Sequence, residues 1–291
     1  MRNTSLPRFV IPRRLRGGIA ILLFACSAAA VAQSGVQQQT LAYVPAQDEL
    51  DTEVNASALP ADAFEAALYN TPNGVRVPYR LLPPKPMREG ERYPLVVVLH
   101  GGYGIGNDNA SQLGAFERSW AYDDIRDRYP AYVLVPQART RTARNLPASR
   151  GAVIAETGPA LDDMLSLAEH IRDTYAIDPQ RIYVTGYSMG GSAALQAVVA
   201  KPKLIAGVVS VAGVPPATKF ANAAAGTPAM LVQGDADTES PYASAVAWTQ
   251  ALASHGAKPE LLTYTGMPHR LPSDMLTGTG WRDWLFAQRK P

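Results

Sequence analysis

The sequence predicts an α/β fold in which a mostly parallel central sheet carries helices on both of its faces. Short continuous apolar runs such as Leu95–Leu99 are typical of strands buried on both sides. These runs alternate along the chain with longer segments, such as Thr157–Tyr175, whose apolar residues recur at helical spacing. A glycine-rich turn, Gly186–Gly191, joins one predicted strand directly to the next predicted helix.

The predicted strands are recognised by their apolar runs and by the residues that end them. Val75–Leu82 stops at Pro83 and Pro84, which favours a place at the edge of the sheet. Leu95–Leu99 and Tyr132–Val135 are apolar throughout, which indicates central strands. The remaining predicted strands are Arg181–Thr185, Ile205–Val211, Ala229–Val232 and Glu260–Tyr264.

The predicted helices alternate with these strands. Thr157–Tyr175 places a set of apolar side chains on one face, namely Leu161, Met164, Leu165, Ala168, Ile171 and Tyr175. The other predicted helices are Ser192–Ala200, which ends near Pro202, Ala243–His255, which Gly256 closes, and one helix within Ser273–Gln288.

The first 32 residues have the three-part pattern of an export signal. Five arginines and no acid come first, a short apolar run at Gly18–Ala25 follows, and small residues end at Ala30–Ala32. The apolar run is shorter than the roughly 20 residues of a membrane-spanning helix. We therefore expect residues 1–32 to be a cleaved signal peptide and the protein to be secreted or periplasmic, without membrane insertion. Cys26 leaves a lipid anchor open as an alternative, because Leu23–Cys26 loosely resembles a lipoprotein processing site.

Charge and cysteine content narrow the class of protein further. The full chain of 291 residues has a net charge of +2, but five of its 27 basic residues lie in the leader. Without the leader, 22 basic residues face 25 acidic ones, a net charge of −3 that gives no support for nucleic-acid binding. Cleavage after Ala32 also removes Cys26, the only cysteine, so the mature chain has no disulfide or thiol chemistry.

Two regions are expected after the leader. Residues 33–62 are rich in Gln, Ala, Ser and acids without a sustained period, which predicts a flexible N-terminal arm that partly packs on the domain. Residues 63–291 hold all the alternating strand and helix patterns and are expected to form one catalytic domain.

The turn at Gly186-Tyr187-Ser188-Met189-Gly190 carries the most specific chemical signal. A G-x-S-x-G sequence that follows a buried strand and opens a helix is the context of a nucleophile elbow, as in the α/β-hydrolase fold. Small residues after Ser188 allow the strand and helix to approach each other closely. A serine hydroxyl is a weak nucleophile that needs a base, a group to orient that base, and donors for the developing oxyanion. We predict Ser188 as the nucleophile.

Chain order identifies the base. In this fold the acid and the histidine follow the nucleophile in that order, and only His255 and His269 come after Ser188. His255 ends a predicted helix, where its charge simply suits the helix terminus. His269 lies in a loop after the last predicted strand, at the end of the sheet where α/β folds place their chemistry. His269 is the predicted base.

Four carboxylates lie between the nucleophile and the base, at Asp235, Asp237, Glu239 and Glu260. Glu260 begins a strand and is expected to face solvent. Asp235 is expected to shape the turn that it occupies. Asp237, further into the same loop, is the favoured partner of His269, with Asp235 as the alternative.

The oxyanion hole needs two backbone N–H groups. One is expected from Met189, the residue after the nucleophile. The other is expected from the glycine-rich loop after Leu95–Leu99, where Gly102 is favoured and Tyr103 is the close alternative. His100 is expected to support this loop.

Other chemistries have little support. The sequence has no cysteine cluster, no H-E-x-x-H and no histidine pair at ligand spacing, so neither a metal nor another cofactor is expected. The glycines of residues 101–106 lack the Gly-Lys-Ser/Thr ending of a phosphate-binding loop.

The chain resembles a known group of secreted α/β-hydrolase esterases, which are often labelled predicted peptidases. That group is related to polyhydroxybutyrate depolymerases and feruloyl esterases. The resemblance covers about residues 63–290. It rests on Leu99–Gly102, Gly106–Asn109, Gln112-Leu113, Pro136-Gln137, Asp178–Gly191, Gly234–Asp237 with Pro241, Gly266–His269 and Asp283–Phe286. It implies ester hydrolysis and supports Ser188, Asp237 and His269 as the triad.

The chain departs from that group in two places. Gln233-Gly234 stands where many relatives have a His-Gly pair, and no catalytic effect is expected from this change. Residues 33–62 match no pattern of the group.

The expected function is hydrolysis of a small or polymer-linked carboxylic ester through an acyl-enzyme. Loops 101–113, 136–158 and 213–227 are expected to line the cleft, and the middle one carries Arg139, Arg141, Arg144 and Arg150. Those arginines form either a basic rim for an anionic or polymeric substrate or, more simply, a solvated loop. Two alternatives stay open: a serine peptidase of the oligopeptidase kind, and an idle hydrolase fold used for binding.

Overall fold

The computed structural model describes residues 35–43, 47–148 and 152–291. The leader, with its cleavage site and Cys26, lies outside these residues, as does Arg150. The strands are β1 (Gln37–Ala42), β2 (Glu65–Asn70), β3 (Arg76–Leu82), β4 (Tyr93–Leu99), β5 (Tyr132–Pro136), β6 (Ala143–Pro147), β7 (Val153–Thr157), β8 (Ile177–Tyr187), β9 (Gly207–Val211), β10 (Ala229–Gly234) and β11 (Glu260–Thr265).

The helices alternate with the central strands, as the sequence patterns predict. They are α1 (Gln47–Ser57), α2 (Ala115–Arg118), α3 (Asp123–Arg128), α4 (Leu161–Thr174), α5 (Met189–Ala200), α6 (Ala221–Ala224), α7 (Tyr242–Ser254), α8 (Asp274–Thr277) and α9 (Gly280–Phe286). Across the described ranges, none of them has both the length and the apolar character of a membrane span.

The main sheet has nine strands in the order β1-β11-β10-β9-β8-β4-β5-β3-β2. Every neighbouring pair from β1 to β5 is parallel, and only the β5–β3 and β3–β2 pairs are antiparallel. The predicted fold class, a mostly parallel sheet with helices on both faces, is confirmed.

The core lies on both faces of this sheet, and β4 shows why its sequence is apolar throughout. Leu95, Val97 and Leu99 pack in one buried cluster with residues of α4, α5 and α7. Val96 and Val98 point to the opposite face and join a second cluster that contains residues of α3 and α9. Because alternate side chains of a strand face opposite sides, a strand covered on both faces needs no polar position.

The edges of the sheet differ from the sequence-based prediction. Val75–Leu82 was predicted as the edge strand, but the observed strand there, β3, lies one place inside and β2 occupies the edge. The prediction was wrong because β2, Glu65–Asn70, has only half-buried or exposed side chains and so lacks an apolar signature.

The N-terminal arm also differs from the flexible segment that its composition suggests. Residues 37–42 form β1, which pairs in parallel with β11, and the backbone N–H of Gln37 donates to the carbonyl of Pro259 over 2.9 Å. Helix α1 packs its buried Ala56 into the same cluster as Leu113 and Phe116. Backbone pairing, the burial of Ala56 and the packing of Leu41 and Tyr43 on the same cluster hold this segment, and none of these requires a regular hydrophobic pattern.

Residues 136–158, predicted as a loop, contain the hairpin of β6 and β7. Ala155 of β7 forms a backbone bridge with Pro216, which follows β9. The hairpin contacts α5 and so lies near the turn that begins at Ser188.

The order in which the chain adds strands to the sheet reverses at its centre, between β4 and β8. From β4 the chain builds outward to β5, whereas from β8 it builds the other way through β9, β10 and β11. The loops after β4 and β8 therefore separate at a topological switch point, the usual position of a site in an open α/β sheet.

Glycines allow these two loops to touch. A Cβ atom on Gly190 would lie 1.8 Å from the carbonyl oxygen of Leu99, and one on Gly186 would lie 2.5 Å from the same oxygen. Both contacts are with backbone, which cannot rotate away as a side chain can.

A buried cation ties the C-terminal helices to the domain. The guanidinium of Arg282 lies between the rings of Trp120 and Trp281, at 4.8 and 4.4 Å from their centroids. It donates to the carbonyls of Gly278 and Leu276 and to the hydroxyl of Ser119. Burial lowers the pKa of Arg282 to about 9, so it stays charged at neutral pH.

We predict that Gly190→Ala lowers the free energy of unfolding by about 3 kcal/mol or more, because its methyl group would displace the backbone of β4. Thermal and urea unfolding followed by circular dichroism measures this loss. Gly226→Ala is the matched control, since a Cβ atom there meets nothing within 4 Å. Equal stability of the two variants would contradict the close approach.

Candidate active site

Ser188 lies at the strained turn between β8 and α5. Its backbone φ and ψ are 56° and −118°, a conformation with positive φ that non-glycine residues rarely adopt. The Ser188 N–H donates to the carbonyl of Val211 at the end of β9, over 2.9 Å. This arrangement places the hydroxyl at the end of the sheet where β8 terminates.

Two hydrogen bonds connect the residues that the sequence singled out. Ser188 Oγ and His269 Nε2 are 2.9 Å apart, and His269 Nδ1 lies 2.8 Å from Asp237 Oδ2. The side chain of Asp237 is fully buried and that of His269 is 12% exposed. Serine, imidazole and carboxylate thus form one continuous chain of hydrogen bonds, brought together from three separate loops.

The carboxylate of Asp237 is held by donors on several sides. Its Oδ1 accepts the backbone N–H groups of Glu239 and Ser240, over 2.9 and 2.8 Å. Its Oδ2 accepts from Gln233 Nε2 over 2.9 Å, and the same Gln233 amide donates to the carbonyl of Ser240. These donors fix the orientation of the Asp237 carboxylate, so that its Oδ2 faces His269 Nδ1.

Gln233 was not expected to matter for catalysis, yet it contacts the acid directly. It is buried at the end of β10, four residues before Asp237. Its departure from the His-Gly pair of the related group was visible in the sequence, but the contact depends on how the loop folds back.

Asp235, the alternative acid, has a different role. Its Oδ1 accepts the backbone N–H of Gly266 over 2.6 Å. A Cβ atom on Gly234 would lie 2.1 Å from the carbonyl oxygen of Met267, so the loops after β10 and β11 are in close contact. Asp235 therefore secures the start of the loop that carries His269.

Burial and nearby acids act in opposite directions on His269. Burial lowers the pKa of the imidazole, but the hydrogen bond and charge of Asp237, with the charge of Glu239, outweigh it and raise the pKa above its ordinary value. Glu239 Oε2 lies 3.9 Å from His269 Nε2, on an exposed side chain. The ring of Tyr187 stacks on His269 with centroids 5.5 Å apart.

The loop after β4 faces the turn at Ser188. Gly102 and Tyr103 begin a short 3₁₀ turn, and a Cβ atom on Gly102 would meet nothing within 4 Å. Met189 is the first residue of α5. The predicted oxyanion donors thus lie on the two loops that Gly190 and the carbonyl of Leu99 bring into contact.

His100 supports this loop, as the sequence predicts. The backbone N–H of Ala138 donates to its Nε2 over 3.0 Å, so Nε2 carries no proton and Nδ1 donates to the carbonyl of Gly101 over 2.7 Å. Burial lowers the pKa of His100, which favours this neutral tautomer. Gly104 lies so close to the His100 ring that a Cβ atom there would be 2.6 Å from it.

Gln137 closes the same loop from the other side. Its Oε1 accepts the backbone N–H of Asn109 over 2.6 Å, and its Nε2 donates to Asp108 Oδ1 over 2.7 Å. Asn109 has a positive φ of 54°. These contacts join the loop after β4 to the end of β5.

A cavity of about 380 Å³ opens beside the imidazole of His269. Glu53 and Ser57 of α1 line it together with Tyr103 and Tyr187. The described arginines of the predicted basic rim, Arg139, Arg141 and Arg144, are exposed. Within the described part of the chain, no group of three or more His, Cys, Asp or Glu side chains could hold a metal ion.

Comparisons with known proteins agree with this architecture. Residues 153–279 match a family model described as Phospholipase/Carboxylesterase. A poly(3-hydroxybutyrate) depolymerase from Ralstonia pickettii is 30% identical over 146 residues, which are 47% of this chain and 28% of that protein. The chain therefore spans less than a third of that relative's length.

Solved structures give the same result. A thermostable esterase is similar with a TM-score of 0.71 and 26% identity, over 79% of this chain and 64% of that one. A puromycin-hydrolysing peptidase from Mycobacterium tuberculosis has a TM-score of 0.56 at 20% identity, over 74% and 38%, a likeness of fold alone. By its sheet order, its elbow and these similarities, the chain has an α/β-hydrolase fold and is similar to carboxylesterases and polyhydroxybutyrate depolymerases.

Proposed function

We propose that this chain is a serine carboxylic-ester hydrolase that acts through an acyl-enzyme on a small or polymer-linked ester. The observation that carries the proposal is the unbroken chain of hydrogen bonds from Ser188 through His269 to the buried Asp237. The similarity to a thermostable esterase and to a poly(3-hydroxybutyrate) depolymerase supports the same bond type.

The proposed reaction has two acyl-transfer steps. Ser188 Oγ attacks the ester carbonyl while His269 Nε2 takes its proton, and Asp237 holds the imidazole and stabilises its charged form. The backbone N–H groups of Met189 and of Gly102, or alternatively Tyr103, stabilise the oxyanion. His269 then protonates the leaving alcohol, and water activated by the same imidazole releases the acid.

The proposal includes the place of action. Residues 1–32 are proposed as a leader that is cleaved after Ala32, which would put the protein in the periplasm or outside the cell. This part rests on the arginine-rich start, the short apolar run and the small residues of the sequence. The catalytic domain is proposed to begin near residue 63, with β1 and α1 packed on it.

The nucleophile is tested with a fluorophosphonate probe, which labels only an activated serine. We expect labelling of the folded wild-type chain at Ser188 and none of Ser188→Ala, with ester hydrolysis reduced about 10⁴-fold or more in that variant. Peptide mapping identifies the labelled residue. A folded wild-type chain that takes no label would support the idle binding fold instead.

The bond type is tested with a substrate panel. We expect p-nitrophenyl acetate and butyrate to be hydrolysed faster than the laurate, since no long apolar lid is evident in the sequence, and all of them faster than peptide anilides. Turnover of anilides alone would overturn the esterase assignment in favour of the peptidase alternative.

The pH profile tests the electrostatics of His269. The imidazole must be neutral to accept the proton, so activity should rise with pH through its raised pKa. Removing a nearby negative charge lowers that pKa, so Glu239→Gln should move the acid limb of the kcat/KM profile to lower pH. High salt screens the charge of Glu239 and should reduce this pH shift between the variant and the wild type. Glu89→Gln, an exposed carboxylate on the β3–β4 connection, is the control. A shift to higher pH in Glu239→Gln would contradict the assignment.

A further inference from the structure

The cavity beside His269 has walls from two parts of the chain that are distant in sequence. One wall is α1 of the N-terminal arm, through Glu53 and Ser57. The other is formed around the site by Tyr103, Phe116 and Tyr187. Its volume of about 380 Å³ is within the range of small-molecule pockets.

Helix α1 is held in place as a wall. Ala56 is fully buried against the cluster that contains Leu113 and Phe116. The guanidinium of Arg118 in α2 donates to the carbonyl of Leu59, just after α1. The adjoining residues Glu53 and Ser57 remain exposed toward the cavity.

The position of the imidazole assigns the cavity to one half of the substrate. His269 delivers a proton to the leaving oxygen, so that oxygen must lie within hydrogen-bond reach of Nε2. The rest of the alcohol then extends past the imidazole, and the residues that follow it, Arg270 and Leu271, line this cavity. The cavity therefore faces the alcohol half of the ester.

The cavity is lined by one acid, Glu53, and one base, Arg270, and two further carboxylates, Asp237 and Glu239, lie beside His269 at its edge. Glu53, Asp237 and Glu239 all raise the pKa of the Tyr187 hydroxyl, after burial, which is the largest cause, while Arg270 alone opposes them. An alcohol that carries a carboxylate would meet this negative field, whereas an uncharged alcohol could donate to Glu53 and accept from Arg270.

We propose that this cavity, given the esterase function proposed above, binds the alcohol half of the ester, and that Glu53 of α1 selects uncharged polar alcohols over anionic ones. The N-terminal arm thereby supplies a specificity residue to the catalytic domain.

Two acetyl esters of similar size test this assignment, monoacetylglycerol with a neutral alcohol and O-acetylglycerate with an anionic one. We expect the wild-type kcat/KM to favour the neutral ester about tenfold or more, and Glu53→Gln to narrow that ratio about threefold by raising turnover of the anion. Glu89→Gln, far from the cavity, is the matched control and should leave the ratio unchanged.

The outcomes separate this inference from the esterase proposal. If Glu53→Gln leaves the ratio at its wild-type value while both esters are hydrolysed, the alcohol subsite is wrong and the esterase stands. If neither ester is hydrolysed and Ser188 takes no fluorophosphonate label, the esterase proposal itself fails.

A buried acid, Glu117, contacts the loop after β4 that carries Gly102 and Tyr103. The hydroxyl of Tyr103 lies 2.8 and 2.7 Å from the two carboxylate oxygens of Glu117, to which it donates. Glu117 is fully buried in α2, and burial raises its pKa to about 7 although the hydrogen bond from Tyr103 lowers it. A buried carboxyl group without a cation in these contacts costs stability, so packing does not explain it.

The backbone is shaped around the same tyrosine. A Cβ atom on Gly101 would lie 2.6 Å from the Tyr103 ring, and one on Gly114 would lie 2.7 Å from its hydroxyl. Two glycines and one buried acid therefore fix a side chain that is itself half exposed beside the site.

We further propose that Glu117 is a positioning residue: by holding the Tyr103 hydroxyl it keeps the backbone amides of Gly102 and Tyr103 directed at the oxyanion. The hydrogen bond acts on the loop through the ring, without contact between Glu117 and substrate.

Three variants test this role, with kcat and KM for p-nitrophenyl acetate and the melting temperature measured for each. Tyr103→Phe and Glu117→Leu should lower kcat about tenfold with a smaller change in KM, because misplacing one oxyanion donor loses part of its effect. Glu117→Gln keeps an acceptor for the hydroxyl and should stay within about threefold of wild type.

Tyr69→Phe is the control. Tyr69 lies on the edge strand β2, and the variant removes its hydroxyl, which is hydrogen-bonded to Ser166 of α4. If the Tyr103–Glu117 hydrogen bond has a purely structural role, its loss should lower the melting temperature and leave kcat of the folded enzyme unchanged. That result for Tyr103→Phe would overturn the proposal. Where Glu117→Leu does not fold, Tyr103→Phe alone decides.

Discussion

The contact between Gly190 and the carbonyl oxygen of Leu99 is the constraint on which the site depends. It joins the turn after β8 to the loop after β4, at the position where the order of strand addition in the sheet reverses. Only a residue without a Cβ atom permits this approach, which brings together the two loops that carry Met189 and Gly102. The strained backbone of Ser188 is kept in place by the same packing and by its bond to Val211.

Each of the buried polar groups around this contact has its own set of hydrogen-bond partners. Asp237 is surrounded by N–H donors, which fix the carboxylate oxygen that faces His269. Glu117 accepts from one tyrosine in a buried position, and its pKa rises to about 7. His100 is neutral and fixed by two backbone groups. These three ionisable residues near one serine are thus held by different sets of hydrogen-bond partners.

The N-terminal arm links the edge of the sheet to the site. Strand β1 extends the sheet beyond β11, and α1 then reaches the cavity beside His269. A segment whose composition suggests flexibility is held by backbone pairing, by buried Ala56 and by a hydrogen bond from Arg118 to the carbonyl of Leu59. Two of its polar residues, Glu53 and Ser57, line that cavity.

The sequence by itself determined the fold class and the central strands, and it singled out Ser188, Asp237 and His269, which the structure joins by hydrogen bonds. Continuous apolar runs mark strands buried on both faces, and chain order left two histidines and four carboxylates from which to choose. Only the tertiary structure decided the outer strands β1 and β2, the hairpin of β6 and β7, and the contacts of Gln233, Glu117 and Glu53. Half-exposed strands carry no apolar signature, and hydrogen bonds between residues distant in sequence leave no periodic pattern. Local patterns follow from burial of neighbouring residues, whereas these contacts exist only after the loops have been brought together.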